Sequence, residues 1–167
     1  LLDVLVELLG ELACGLAAPP TVSRLMDMGA APFLIAGSLR GIVAQRLVRR
    51  ICESCSEPHA IDPGMRAIAA AELGDALEDM QFHRGRGCTY CNHTGYQGRI
   101  GIYELLEIDD ALATPLHRGD QLAFGEAAKR QAGYQSLRHS AIALAGRGLT
   151  FRRWAVLVGV LGQLCLS

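Results

Sequence analysis

The sequence predicts an α+β protein that is mostly helical. Apolar residues recur at intervals of three and four along much of the 167-residue chain, which is typical of amphipathic helices. Residues 99–106 instead show the β-branched alternation of a strand. Residues 52–96 are rich in cysteine, glycine and proline, so this segment is predicted to consist of turns around a single helix.

Composition argues against several functional classes. Hydrophobic residues make up 50% of the chain and charged residues 20%, which is typical of a folded globular protein. The formal net charge of −1 argues against nucleic acid as a partner. No apolar run reaches the roughly 18 to 20 residues that span a bilayer, and residues 1–16 lack the positive leader of a signal peptide. We expect no nucleic-acid partner and no membrane-spanning segment.

Three helices are predicted before the first cysteine. Residues 1–16 place leucines on one helical face and acidic residues elsewhere. A short helix begins near Pro20 and stops at Gly29, where a left-handed residue is favoured. A third begins at Pro32 and continues to Leu47, because its apolar residues are three and four apart with arginines between them.

Further helices are predicted on both sides of the strand. One occupies residues 63–80, and Asp109 or Asp110 caps the first of those that follow the strand. The later helices are expected to be broken at Pro115, Gly119, Gly133 and Gly148. Residues 154–166 are uncharged, and either a buried helix or a peripheral membrane segment fits them, with the buried helix favoured.

Four cysteines carry the strongest chemical signal, as two CxxC pairs with residues 56–87 between them: Cys52, Cys55, Cys88 and Cys91. A two-residue spacer lets both sulfurs of a turn face one point, and two such turns can close a tetrahedron around an ion. Soft thiolates without an open coordination position favour structural zinc. Two disulfides, four free thiols and an iron–sulfur cluster are the alternatives, and zinc is favoured over them.

Residues near the two pairs are expected to support this site. Four glycines give backbone amides room to point at the thiolates: Gly85, Gly87, Gly95 and Gly98. Four thiolates around a divalent ion leave a net charge of about −2. Three arginines are close enough in sequence to offset that charge: Arg84, Arg86 and Arg99. The other candidate ligands are expected to lie outside the set: His59, His93, Cys14 and Cys165.

Nucleotide-binding motifs are absent from the sequence. A phosphate-binding loop needs successive backbone amides that end in a lysine, and the one lysine, Lys129, follows no such glycine loop. The GxGxxG, GxSxG and HExxH patterns are missing as well. No catalytic or cofactor-binding residue is therefore predicted, and this chain alone is not expected to hydrolyse ATP.

Several blocks in order resemble the type II secretion protein E and type IV pilus assembly ATPases. The blocks are residues 21–29 (TVSRLMDMG), 32–35 (PFLI), 41–49 (GIVAQRLVR) and 87–104 (GCTYCNHTGYQGRIGIYE). The resemblance covers about residues 21–150, and the string after the second CxxC is its most specific part.

The resemblance implies a division of the chain into three parts. Residues 1–51 would be the C-terminal end of a RecA-like ATPase domain, residues 52–98 its tetracysteine zinc-binding subdomain, and residues 99–167 a strand with a helical extension. In that family the whole protein binds ATP and magnesium, forms a hexamer at the cytoplasmic face of the inner membrane, and works with inner-membrane secretion or pilus platform proteins. The chain would then be the C-terminal portion of such an ATPase.

Two further interpretations stay open at this point. Residues 1–19 and 151–167 do not resemble the family, so the chain is interpreted as a fragment or a frame-disturbed product, with Pro115 as a second indication. The alternative function is a free-standing structural zinc module that binds a protein partner, and redox catalysis through CxxC is a third class.

Overall fold

The computed structural model of the protein describes residues 18–151. Its helices are α1 (Ala18–Asp27), α2 (Pro32–Ser38), α3 (Pro63–Leu73), α4 (Asp110–His117), α5 (Gln121–Arg130) and α6 (Leu137–Gly146). Its strands are β1 (Gly41–Ile51), β2 (Ser56–Pro58), β3 (His83–Gly85) and β4 (Tyr96–Glu107). Strands β1 and β4 form one two-stranded sheet, and β2 and β3 form another. The predicted α+β class is confirmed.

The described chain folds as two compact units. The first unit comprises residues 18–44 and 104–136, and the second comprises residues 45–103 and 137–151. In the first unit, four helices bury an aliphatic core with one aromatic ring: Val22, Leu25, Ile35, Ala36, Ile42, Leu106, Leu112, Leu116, Phe124 and Ala128. This composition agrees with the low aromatic content of the sequence.

Strand β1 corrects a prediction. The helix expected from Pro32 to Leu47 ends at Ser38, and Gly41–Ile51 is a strand. Burial along β1 alternates, since Ile42 is buried whereas Val43 is 65% exposed. The same residues satisfy both a spacing of three and four and a spacing of two, and their β-branched side chains favour the strand.

Helix α1 agrees with the prediction, whereas helix α3 is shorter than predicted. Helix α1 is followed by Gly29, whose φ of 90° provides the left-handed stop. Helix α3 begins after Asp62, whose side chain accepts from the amide of Met65 at 2.9 Å. It ends at Leu73 and not at Met80, because Gly74 takes a positive φ of 55° and starts a 3-10 turn.

The predicted strand at residues 99–106 is confirmed, and β4 extends it in both directions. The small β2–β3 sheet was not predicted. It is antiparallel, and Ser56 pairs with Gly85 and Pro58 with His83. This sheet brings the segment after the first CxxC beside the segment before the second.

Pro115 does not break its helix, which corrects another prediction. Helix α4 continues through Pro115 to His117. A proline at this position removes the amide that would bond the carbonyl of Ala111, and Ala111 is exposed in the first turn of α4. The residue that loses this partner thus lies on the exposed side of α4, and the helix continues through the proline.

Asp109 caps α4, as predicted. Its carboxylate accepts from the side-chain amide of Gln131 at 3.1 Å and from the backbone amide of Leu112 at 3.0 Å. These two bonds, in that order, hold the pKa of Asp109 below its usual value. The ionised carboxylate therefore stabilises the folded first unit.

Asp109→Ala is expected to lower the free energy of unfolding by about 1 kcal/mol at neutral pH, because the cap is lost. The stabilisation from Asp109 is complete above the unfolded pKa of about 3.9. It disappears as the pH falls through the lower folded value, so the difference from the unsubstituted chain should shrink in that acidic range. Denaturant titrations at several pH values measure it. Asp110→Ala is the control, and an equal loss there would contradict the assignment.

Gly125→Ala is expected to stabilise the first unit by up to about 1 kcal/mol. Gly125 lies inside α5, and a Cβ there would meet no atom within 4 Å. Alanine has the higher helix propensity and fewer unfolded conformations to lose. A thermal melt should show a raised midpoint, and an unchanged or lowered midpoint would contradict the open space seen beside α5.

Among residues 18–151, no helix has the length and apolar character required to cross a bilayer. The helix predicted at residues 1–16, the apolar segment at residues 154–166, and the cysteines Cys14 and Cys165 lie outside the described residues.

Candidate metal centre

The four predicted cysteines lie in two similar turns of the second unit. Cys52 directly follows β1, and a 3-10 turn over Glu53–Cys55 places Cys55 after it. Cys88 precedes a second 3-10 turn, Thr89–Cys91. In each pair the amide of the second cysteine donates to the carbonyl of the first at 3.2 Å. The two-residue spacer thus closes a turn that points both sulfurs the same way.

The structure brings the four sulfurs together. All four lie within 4.8 Å of one another. The Sγ atoms of Cys52 and Cys88 are 3.9 Å apart, as are those of Cys55 and Cys91, and the Cys88–Cys91 distance is 3.7 Å. A regular tetrahedron with metal–sulfur bonds of about 2.3 Å has edges of about 3.8 Å. The four cysteines are free thiols, and their arrangement matches a tetrathiolate site.

Backbone amides supply hydrogen bonds to two of the sulfurs. The amide of Gly87 donates to Cys55 Sγ at 3.3 Å. The amides of Cys88 and Gly95 donate to Cys91 Sγ at 3.3 Å and 3.2 Å. Such bonds stabilise thiolate charge without adding a charged side chain. The prediction that amides beside Gly87 and Gly95 face the sulfurs is confirmed.

Gly95 joins the two turns. Its amide donates to Cys91 Sγ, and its carbonyl accepts from the amide of Cys52 at 3.0 Å. Its φ is 76°, a conformation that glycine adopts at little cost. A Cβ on Gly85 would lie only 2.6 Å from the carbonyl carbon of Gly95, so both positions require glycine.

The surroundings of Cys55 and Cys91 shift the pKa values of these two thiols in opposite directions. Burial raises the pKa of Cys55 to about 11, and the amide of Gly87 only partly opposes this. Burial also acts to raise the pKa of Cys91, but the amides of Cys88 and Gly95 outweigh it and lower the pKa to about 6. The Cys91 sulfur is therefore already favoured as a thiolate near neutral pH.

The arginine and histidine side chains near the two CxxC pairs do not all lie where the sequence suggests. Arg84, which was expected to offset the thiolate charge, instead pairs with Glu57 at 2.8 Å. The amide of Arg86 donates to the carbonyl of Cys55 at 2.9 Å, so its main chain supports the turn. His59 lies against the ring of Phe151, and in the described chain neither His59 nor His93 belongs to the sulfur group.

Two residues that support the second CxxC turn and its surroundings were not predicted from the sequence. The hydroxyl of Thr94 donates to the carbonyl of Cys91 at 2.7 Å and so braces the second turn. The guanidinium of Arg49 stacks on the ring of Tyr96 at 4.2 Å from its centroid. Thr94 could have been noticed, because a hydroxyl three residues after a turn cysteine is placed to reach its carbonyl. The stacking of Arg49 depends on how the strands pair and leaves no sequence signal.

The sequence model of the family described as Type II/IV secretion system protein matches residues 15–157. The chain belongs to this family. The match includes both CxxC pairs and is somewhat longer than the predicted resemblance at residues 21–150.

Curated relatives come from both branches of the secretion family. The Type II secretion system ATPase E of Vibrio cholerae is 48% identical over 96 residues, 58% of this chain and 18% of that protein. The Type II secretion system protein E of Pectobacterium carotovorum is 46% identical over 99 residues, 59% of this chain and 19% of that protein. The Type IV pilus assembly ATPase PilB of Thermus thermophilus is 34% identical over 134 residues, which are 80% of this chain and 15% of that protein. The chain thus matches less than a fifth of each relative's length.

Proposed function

We propose that this chain is the C-terminal portion of a type II secretion or type IV pilus assembly ATPase, and that its four clustered cysteines bind a structural zinc ion. The observation that carries the proposal is the tetrathiolate geometry of Cys52, Cys55, Cys88 and Cys91 in a chain of this family. The names of its relatives, which include secretion ATPases and a pilus assembly ATPase, support the second half of the proposal.

The donor set fits zinc in a structural role. Four sulfurs complete a tetrahedron and leave no position for a water or substrate, so hydrolytic chemistry at the ion is not supported. Cys52, Cys55 and Cys91 are buried, and backbone amides donate hydrogen bonds to the sulfurs of Cys55 and Cys91. When bound, the ion would supply cross-linking of the two CxxC turns, with Cys52 and Cys55 holding one side and Cys88 and Cys91 the other.

Around the two CxxC turns, the ion would take the place of a hydrophobic core. Cys52, Cys55 and Cys91 form a buried cluster of their own, and Cys88 packs against it. The sheet that joins the turns has only two strands of three residues each, which is too little to be stable alone. A bound ion would therefore hold residues 52–98 in shape.

The remaining assignments belong to the same proposal, and family membership supports them. Residues 1–51 would complete a RecA-like domain, and residues 99–167 would form the C-terminal extension. ATP with magnesium would bind to parts of the whole protein that this sequence lacks. The whole protein would act as a hexamer in the cytoplasm against the inner membrane, with secretion or pilus platform proteins as partners, and this chain would transmit motion and not hydrolyse ATP itself.

A chimera tests the proposal. Residues 21–150 would replace the aligned segment of a type II secretion ATPase, and secretion of its exoprotein would be measured in a strain that lacks the native ATPase. We expect the chimera to restore secretion, and Cys52→Ser in the chimera to reduce secretion at least tenfold by removing a zinc ligand.

Ser54→Ala is the matched control for that substitution. Ser54 is exposed and lies between Cys52 and Cys55 in the same turn, so its removal should leave secretion unchanged. A folded chimera that is inactive with the native cysteines would contradict the assignment to this machinery. Turnover of ATP by the purified 167-residue chain at the rate of a complete ATPase would contradict the division of labour.

A further inference from the structure

The four sulfurs of the cluster are not equivalent. Cys52 is fully buried, and Cys55 and Cys91 are each 5% exposed. Cys88 is only partly buried. Exposure to solvent therefore singles out one of the four, although the two CxxC turns are similar in backbone structure.

Hydrogen bonding divides the four sulfurs in a second way. Within residues 18–151, the amides that donate to the cluster go to Cys55 and Cys91 and none goes to Cys88. Cys52 also receives none, but it is completely enclosed. When all four sulfurs are thiolates bound to an ion, an amide bond draws charge from its sulfur and makes that sulfur a weaker nucleophile toward outside reagents, while burial blocks their approach. Cys88 has neither protection.

We propose that Cys88 is the reactive position of this centre, the thiolate that soft carbon electrophiles attack and through which the ion leaves. The inference rests on the proposed zinc site. In the reaction, the sulfur lone pair of Cys88 forms a bond to the β-carbon of an α,β-unsaturated carbonyl compound. The carbon–carbon double bond becomes single, and its α-carbon takes a proton from water. The thioether that results would be a neutral and much weaker zinc ligand, so Cys88 would no longer hold the ion.

Loss of this one ligand opens the centre on its solvent side. The ion would then keep three sulfurs and take up a water, which converts a closed site into one that exchanges its metal. Cys91, held by two amides, and the enclosed Cys52 would be the last to release the ion. Modification of Cys88 would thus be the first step by which the site responds to electrophiles, and release of the ion would follow it.

The experiment uses the full 167-residue chain with its metal content measured first. The zinc-loaded chain is treated with N-ethylmaleimide at neutral pH, modified cysteines are mapped by peptide mass spectrometry over time, and released zinc is followed with a chromogenic chelator. We expect Cys88 to be modified at least tenfold faster than Cys52, Cys55 or Cys91. Zinc release should follow the Cys88 modification with the same rate constant.

The outcomes separate this inference from the proposed function. A chain that binds no zinc overturns both. A chain that binds one zinc but is modified first at another cluster cysteine, or at all four equally, overturns this inference alone. Cys88→His provides a second measurement, because a neutral imidazole can replace a sulfur ligand. It should retain one zinc and release it at least tenfold more slowly under maleimide, and release at the unsubstituted rate would also overturn the inference.

Discussion

Cys52→Ser is expected to abolish zinc binding and to unfold residues 52–98, while the first unit stays folded. Cys52 is fully enclosed, and its amide bonds to Gly95 in the opposite turn, so it anchors both halves of the site. Structural zinc supplies on the order of 10 kcal/mol to folding. The small cysteine cluster cannot replace that contribution by apolar burial. Metal content, with hydrogen exchange resolved along the chain, measures both effects.

The matched control for this substitution is Ser54→Ala, an exposed change in the same turn. It should retain one zinc and the protection pattern of the unsubstituted chain. Equal protection of residues 52–98 in Cys52→Ser and in the control would show that this segment folds without the ion, against the proposed role of the metal.

Gly85→Ala is expected to destabilise the second unit by about 3 kcal/mol, the upper end of overpacking effects. A Cβ on Gly85 would overlap the main chain of Gly95, which cannot move as a flexible side chain would. The backbone at Gly95 would have to shift, and its bonds to Cys91 Sγ and to the amide of Cys52 would weaken. We therefore expect a lower zinc affinity together with a lower melting temperature.

Gly98→Ala separates this clash from the general effect of replacing a glycine. Gly98 has a φ of 72°, but a Cβ there would meet no atom within 4 Å. Its cost should be limited to about 1 kcal/mol of left-handed backbone strain. If the two variants lost equal stability, the close approach of Gly85 and Gly95 would not be the cause.

The grouping of the four cysteines was the part of the structure most readily predicted from sequence. A CxxC spacing fixes how two sulfurs leave one turn, and two such turns in one sequence indicate a four-sulfur group. The cap at Asp109 and the stop at Gly29 were predicted for a similar reason, because each residue acts on others within a few positions of itself.

Errors arose where distant residues decide the local structure. Residues 41–51 satisfy a helical spacing, and pairing with β4 is what makes them a strand. Arg84 could reach the thiolates by its position in the sequence, but the β2–β3 sheet places it beside Glu57. Which sulfur each amide meets depends on the approach of Gly85 and Gly95, which no spacing rule contains.

Native mass spectrometry of the purified chain, with elemental analysis of the same sample, is the most direct test of the central claim. We predict one zinc per chain, held by Cys52, Cys55, Cys88 and Cys91 and lost on substitution of Cys52. A chain that is folded throughout residues 52–98 and carries no metal would contradict the claim, as would one in which all four cysteines are paired as disulfides.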